Sequence, residues 1–246
     1  MKTRNFVLLL FLVAGLITSC AENSSSLVIL QNQPPASGCE ASSTQTDTFL
    51  SHGIMDLGAS RYGIQPQYIG WLVLANNLVS TVESHGIELN TVEIKEAHIS
   101  LSLGSSGSAL DSSYTKFADY TFVAIPPGEN RSVQVNLIPP NVAGRMSLGE
   151  GQYVEATATV QIIGERGGTD IASNSIKFPI TICNGCLAEN IGPCDTATFP
   201  DTIFEGHTCN KSQDEPLHCC YDSAAAGADN PYRCPAVQGT EDTTVK

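Results

Sequence analysis

The sequence predicts a mainly β protein: an antiparallel β-sandwich of immunoglobulin or fibronectin type, followed by a loop-rich, disulfide-bonded tail. Three observations carry this expectation. Apolar and polar residues alternate with period two through most of 27–182. Clusters of Gly and Pro interrupt that alternation at short intervals. Seven of the nine cysteines crowd into 183–234. About eight strands without a sustained 3.6-residue stripe exclude the βαβ rhythm of a parallel α/β domain.

Taken in order, Leu27–Leu30 reads as the first strand. Tyr68–Leu74, which contains Trp71, is apolar at both parities and suits a central strand. Segment 92–103 changes phase: Val92 and Ile94 hold one parity, whereas Ala97, Ile99, Leu101 and Leu103 hold the other. One extra residue near Lys95-Glu96, a β-bulge, restores a single buried face. Val133, Val135 and Leu137 alternate with Ser132, Gln134 and Asn136. Val154, Ala156, Ala158, Val160 and Ile162 form a longer inward set, and Ile176, Phe178, Ile180 and Ile182 form the next. Pro179 takes an outward position in that last strand, and its missing N–H predicts a sheet edge. Gly104-Ser-Ser-Gly107, Pro126-Pro-Gly128, Pro139-Pro-Asn141 and Gly164-Glu-Arg-Gly-Gly168 supply the turns. Helices should be few and short.

The segment 183–246 differs in kind. It holds 3 basic and 10 acidic residues, seven cysteines and little alternation. Such a module buries too little apolar surface to fold without cross-links. The polar residues after Pro235 are expected to fray.

At the other end, Met1–Asn5 carries Lys2 and Arg4, and an uncharged apolar run from Phe6 to Ile17 follows. That run is too short to span about 30 Å of hydrocarbon and suits a secretory leader. Ile17-Thr18-Ser19-Cys20 resembles the lipobox of bacterial lipoproteins. The resemblance implies cleavage before Cys20, a diacylglyceryl group on its thiol and an acylated amine. Ala21 in place of Asp implies, by the same resemblance, sorting to the outer membrane. The expected organisation is a leader over 1–19, a lipidated cysteine and short spacer over 20–26, a sandwich over 27–182 and a tail over 183–246. Two or more acyl chains at roughly 0.8 kcal/mol per buried CH₂ hold firmly.

Cysteine parity agrees. With Cys20 lipidated, eight cysteines remain: Cys39, Cys183, Cys186, Cys194, Cys209, Cys219, Cys220 and Cys234. An even set in an oxidising compartment reads as up to four disulfides of unspecified connectivity. Seven lie in the tail, so full oxidation requires Cys39 to bridge into it. The adjacent Cys219 and Cys220 should join different partners. The run Cys183-Asn-Gly-Cys186-Leu, the Gly-Pro-Cys ending at 194, Cys209, and Asp214-Glu215 before Cys219-Cys220 resemble the tails of uncharacterised Gram-negative lipoproteins. That likeness implies architecture and location and no activity.

Composition narrows the functional classes. With 12 basic against 25 acidic residues the net charge is −13. This argues against wrapping nucleic acid, which needs a basic footprint. Cys183-x-x-Cys186 has the spacing of a redox pair, but that chemistry usually draws on a helix N-terminus, and Leu187–Asn190 leaves no room for one. Cys183, Cys186, Cys194, Cys209, Cys219 and Cys220 with His207 and His218 contain zinc-ligand types without a clean paired spacing, so disulfides are expected and metal is not. Ser113-Tyr-Thr-Lys116 lacks the companion elements of penicillin-recognising enzymes. His52, His85 and His98 are scattered, and His98 falls on an outward parity.

The expectation is therefore a membrane-anchored envelope lipoprotein, a binding or structural module without catalytic activity or cofactor. It would bind an envelope or surface partner through loops 58–66, 104–117 and 139–151. The alternative is an extracytoplasmic enzyme or a metal or redox protein using the cysteine-rich tail.

Overall fold

The computed structural model describes residues 26–35, 38–81, 86–104, 110, 112–194, 204–225 and 227–235. The apolar leader, Cys20, His85 and the chain end after Cys234-Pro235 lie outside them.

Eight strands form the body: β1 Leu27–Asn32, β2 Gly53–Asp56, β3 Tyr68–Asn76, β4 Val92–Leu103, β5 Lys116–Ile125, β6 Asn130–Ile138, β7 Tyr153–Arg166 and β8 Thr169–Cys183. They make a three-stranded sheet in the order β1-β3-β6 and a five-stranded sheet in the order β2-β8-β7-β4-β5. Among the described residues, helical structure is limited to short turns such as α1 Ser112–Thr115, α2 Pro140–Ala143 and the 3₁₀ turn Leu57–Tyr62. One hydrophobic core draws Leu72, Leu74 and Val135 from the smaller sheet and Ile94, Ile99, Val160 and Ile180 from the larger.

The period-two reading translates directly into this core. Val133, Val135 and Leu137 are buried, as are Val154, Ala156, Ala158, Val160 and Ile162. The phase change in β4 is a bulge: its register against both β5 and β7 slips between Ile94 and Glu96. The extra residue lets Ile94 and Ala97 face the same interior despite opposite parity.

Three expectations need correction. The body is not wholly antiparallel, because β2 runs parallel to β8, pairing Gly53 with Ile180 and Asp56 with Cys183. Consequently β8 is not an edge strand. Pro179 is tolerated because β2 begins its pairing only at Ile180, one residue on, so no β2 residue pairs opposite the ring nitrogen that lacks a hydrogen. The tail is also more ordered than a loop-rich segment. Strands β9 Ala188–Pro193, β10 Leu217–Tyr221 and β11 Tyr232–Arg233 form a small sheet in the order β11-β10-β9, with β9 and β10 parallel. Its strands are too short to show a readable period. They pack Ala188, Leu217 and Cys219 against Ala59 of the body.

All eight candidate cysteines are paired: Cys39 with Cys209, Cys183 with Cys186, Cys194 with Cys220 and Cys219 with Cys234. The adjacent Cys219 and Cys220 take different partners, and Cys39 reaches the tail across 170 residues.

This last bond explains why β3 is apolar at both parities. Every residue of β3 is buried. One face joins the core through Tyr68, Leu72 and Leu74. On the opposite parity Trp71 lies against His207 of the tail, ring centroids 5.5 Å apart. Below Leu72 β3 has no β1 neighbour, and the tail takes that place. The Gln213 side chain accepts from Ile69 N at 2.9 Å and donates to Ile69 O at 3.2 Å, as a neighbouring strand would. Asn210 Nδ2 and Ser212 Oγ donate to Gln67 O.

Candidate functional site

A buried carboxylate organises the junction between body and tail. Asp56 ends β2, is fully buried, and caps the turn Leu57–Tyr62 by accepting from Gly58 N at 2.7 Å. An Asp one residue before such a turn is a familiar capping choice. Here the same carboxylate also accepts from Gly185 N at 2.6 Å, Leu187 N at 2.9 Å and Ala188 N at 2.9 Å. Gly185 has a left-handed backbone, φ 88°, which a side chain would disfavour and which lets the loop fold its N–H groups around one anion. The bonds tie the Cys183–Ala188 loop to the start of the 3₁₀ turn.

The rim of this junction is a groove with two adjoining depressions of about 300 and 490 Å³, both lined by Arg61. The smaller runs between Ser60 and the loop at Gly144–Leu148. The larger is lined by Tyr62, Cys186, Glu189, Phe204 and His218 among others. Arg61 sits between them. Its Nη1 donates to Glu150 Oε1 at 2.9 Å and its Nη2 to Asn184 Oδ1 at 2.8 Å. Asn184 Nδ2 in turn donates to Leu148 O at 2.6 Å. The guanidinium thus links loop 139–151 to the Cys183–Ala188 loop. Both charges of the Arg61–Glu150 pair are substantially exposed, so the pair contributes little to stability and leaves both groups open to exchange partners. The Phe204 ring meets His218 edge-on at 4.9 Å, and His218 Nε2 lies 3.9 Å from Glu189. A cation, a carboxylate, an aromatic ring and an imidazole therefore face one groove.

A second polar cluster is sealed inside. Tyr68 Oη donates to Asp214 Oδ2 at 3.0 Å, and Ile54 N donates to Asp214 Oδ1 at 2.8 Å. Burial pushes the Tyr68 phenol far above its ordinary value, with the Asp214 charge adding to the shift. Burial likewise raises Asp214 and lowers His207 and Lys211. Lys211 is buried and donates to Glu205 O at 2.7 Å. The Tyr68–Asp214 bond fastens the tail to β3, while Lys211 and His207 bond backbone groups within the tail.

The sequence-level candidates distribute unevenly. Loops 58–66 and 139–151 come together at the groove; residues 105–109 and 111 of loop 104–117 lie outside the described residues, and its described residues do not line the groove. The cysteines weighed as zinc ligands are all held in disulfides, and His207 and His218 lie on different rings, Trp71 and Phe204. Asp56, Cys183 and Cys186 place one ligand-type atom each within 4.8 Å of one another. Because the Asp56 carboxylate already accepts four N–H bonds, that trio does not form a ready metal cradle. Ser113 belongs to α1 while Lys116 starts β5, which breaks the helical turn that a Ser-x-x-Lys site needs. His98 is exposed, its Nε2 lying 2.7 Å from Glu96 Oε1, and His52 borders Thr181 and Glu155. Asp56, Arg61 and Glu150 were not singled out from sequence, although Asp56-Leu-Gly has the form of a turn cap.

Comparison of the chain with protein-family models, with curated proteins and with solved structures finds no match. Among the described residues, no helix is long and apolar enough to cross a membrane.

Proposed function

We propose that this chain is a lipid-anchored protein of the bacterial outer membrane, a non-enzymatic module that binds an envelope or surface partner at the groove around Arg61. The observation that carries the reading is the cysteine account. Four disulfides consume eight of nine cysteines and leave over the single residue, Cys20, that closes the lipobox-like sequence. Disulfide density of this kind belongs to oxidising compartments outside the cytoplasm.

The sandwich reading draws support from strand order. The orders β1-β3-β6 and β2-β8-β7-β4-β5 support a reading of β1, β3 and β6 as strands A, B and E, and of β4, β5, β7 and β8 as C, C′, F and G, of an immunoglobulin or fibronectin arrangement. Strand β2 is then the continuation of A, crossing to pair parallel with G. One departure is that the buried Trp71 belongs to the A-B-E sheet and packs on the tail.

Two measurements test the proposal. Replacing Cys20 by Ser should move the protein from the detergent phase to the aqueous phase in whole-envelope extracts, and unchanged partitioning refutes the anchor. A photoreactive side chain at the exposed Ser60 should capture a defined envelope component in intact cells. Capture of the same bulk proteins from a distant position such as Lys177 refutes the groove as the contact surface.

A further inference from the structure

Four disulfides hold this protein, and one of them is unlike the others in what it closes and where it sits. Cys39–Cys209, Cys194–Cys220 and Cys219–Cys234 span 170, 26 and 15 residues and fasten separate segments. Cys183–Cys186 spans three. It removes the least chain entropy, and the loop it closes is already fixed without it. Cys183 is held in register by Asp56 on β2 and by Tyr153 on β7. Gly185, Leu187 and Ala188 are held by the Asp56 carboxylate. The staple is redundant as a staple.

Its two sulfurs also differ in access. Cys183 is buried, 3% exposed, whereas Cys186 is exposed and lines the larger depression of the groove. Exposed disulfides are the exchangeable ones, because an incoming thiolate must approach one sulfur in line with the bond. Nothing in the described fold offers the helix N-terminus that commonly activates such pairs; β9 follows directly at Ala188. Position supplies the selectivity instead. The groove presents one sulfur to a partner and keeps the other in reserve.

We propose that Cys183–Cys186 is a thiol–disulfide exchange site, with Cys186 the sulfur that joins a partner protein's cysteine and Cys183 the resolving sulfur. The reductant is a partner dithiol. One partner thiolate attacks Cys186 Sγ, forming a mixed disulfide. The Cys183–Cys186 bond breaks, and its electron pair leaves on Cys183 Sγ, which takes up a proton. The partner's second thiolate then attacks the partner sulfur of the mixed disulfide and expels Cys186, which is protonated in turn. Two electrons and two protons pass to the protein, and the partner leaves with a new disulfide. The reverse sequence reduces a partner disulfide. Asp56, with a carboxylate oxygen within 4.8 Å of both sulfurs, is a positioning residue. It keeps the loop folded in both oxidation states by accepting from Gly185 N, Leu187 N and Ala188 N. This inference does not depend on the anchor or on the identity of the groove's partner.

The test is a redox titration of the purified full chain in glutathione buffers, with alkylation and peptide mass spectrometry reading each pair separately. Cys183–Cys186 should be half-reduced at a reduced-to-oxidised ratio at least tenfold lower than any other pair, with the near-ultraviolet dichroism of the fold unchanged. Simultaneous reduction of all four pairs, or earlier reduction of another, overturns the proposal. Cys183→Ser and Cys186→Ser separate the roles. With an oxidised peptide disulfide as probe, the free Cys186 of Cys183→Ser should form a mixed disulfide, expelling one peptide thiol, at least tenfold faster than the free Cys183 of Cys186→Ser does. Equal rates overturn the assignment, and the wild-type titration decides the matter if either variant fails to fold.

Discussion

Asp56 Oδ2 accepts the backbone N–H of Leu187 at 2.9 Å, across 131 residues of chain. Together with the bonds from Gly58, Gly185 and Ala188 it makes one buried carboxylate the shared cap of a body turn and a tail loop.

Replacing Asp56 by Ala therefore strands four backbone donors. An unsatisfied buried donor costs roughly 1–3 kcal/mol, and bonds to a charged acceptor sit at the upper end. Some of the freed donors will find water as the loop relaxes. The expected loss is about 3 kcal/mol or more, measured as a lowered urea midpoint with unchanged slope. Asp56→Asn keeps one acceptor oxygen and should fall between the two.

Breaking Cys39–Cys209 releases the largest closed loop. The chain-entropy model assigns about 5 kcal/mol to a loop of 170 residues. Cys39→Ser, Cys209→Ser and the double variant should be destabilised equally, since each removes the same single bond. Additive losses in denaturant titrations would show that the cysteines act separately.

Trp71 is the chain's one tryptophan, it is 2% exposed, and the tail covers it through His207. Its native emission should be blue-shifted and resistant to acrylamide. In the Cys39→Ser variant under mild denaturant, the emission should shift red before the far-ultraviolet signal of the sheets is lost. Coincident transitions would mean that tail and body unfold as one unit.

Acid should loosen the same contact. Burial lowers His207 in the folded protein below its ordinary 6.5. The unfolded chain then binds the proton more readily, so stability is complete above 6.5 and declines as pH falls from there through the folded value. Asp214 has the opposite sign. Its folded value is raised above 3.8, so its contribution is full below 3.8 and lost as pH rises through that raised value. It offsets part of the histidine's effect as pH falls through that raised value. The urea midpoint should fall between pH 7 and pH 5.5, and His207→Asn, whose oxygen replaces Nδ1 as acceptor for Cys209 N and Asn210 N, should flatten that slope.

Gly53 marks a close approach rather than a turn. A Cβ there would overlap the Tyr68 ring, which is itself fixed by Asp214. Gly53→Ala should cost about 1–3 kcal/mol, as overpacking usually does. Adding Tyr68→Phe should recover little, since the clash involves the ring as well as the hydroxyl.

The sequence by itself determined what depends on near neighbours. Alternation at period two specified the inward residues of β6, β7 and β8, and the parity switch in 92–103 located the bulge at Lys95, because side-chain direction along a strand is a local property. With Cys20 set aside and the other eight cysteines fully oxidised, counting required Cys39 to reach the tail. Only the tertiary structure decided which strands pair. The parallel partner of β8 comes from Gly53–Asp56, more than a hundred residues away, and no local period records such a choice. The apolar run of β3 was legible, but its cause was not, since its second face is buried by Gln213, His207 and neighbouring tail residues whose polar character reads as surface. The groove around Arg61 was hidden for the same reason. Asp56 joins its 57–62 turn to the Cys183–Ala188 loop and Arg61 joins that loop to 139–151, and what makes Asp56 structural is burial with three distant N–H donors, a circumstance created by folding.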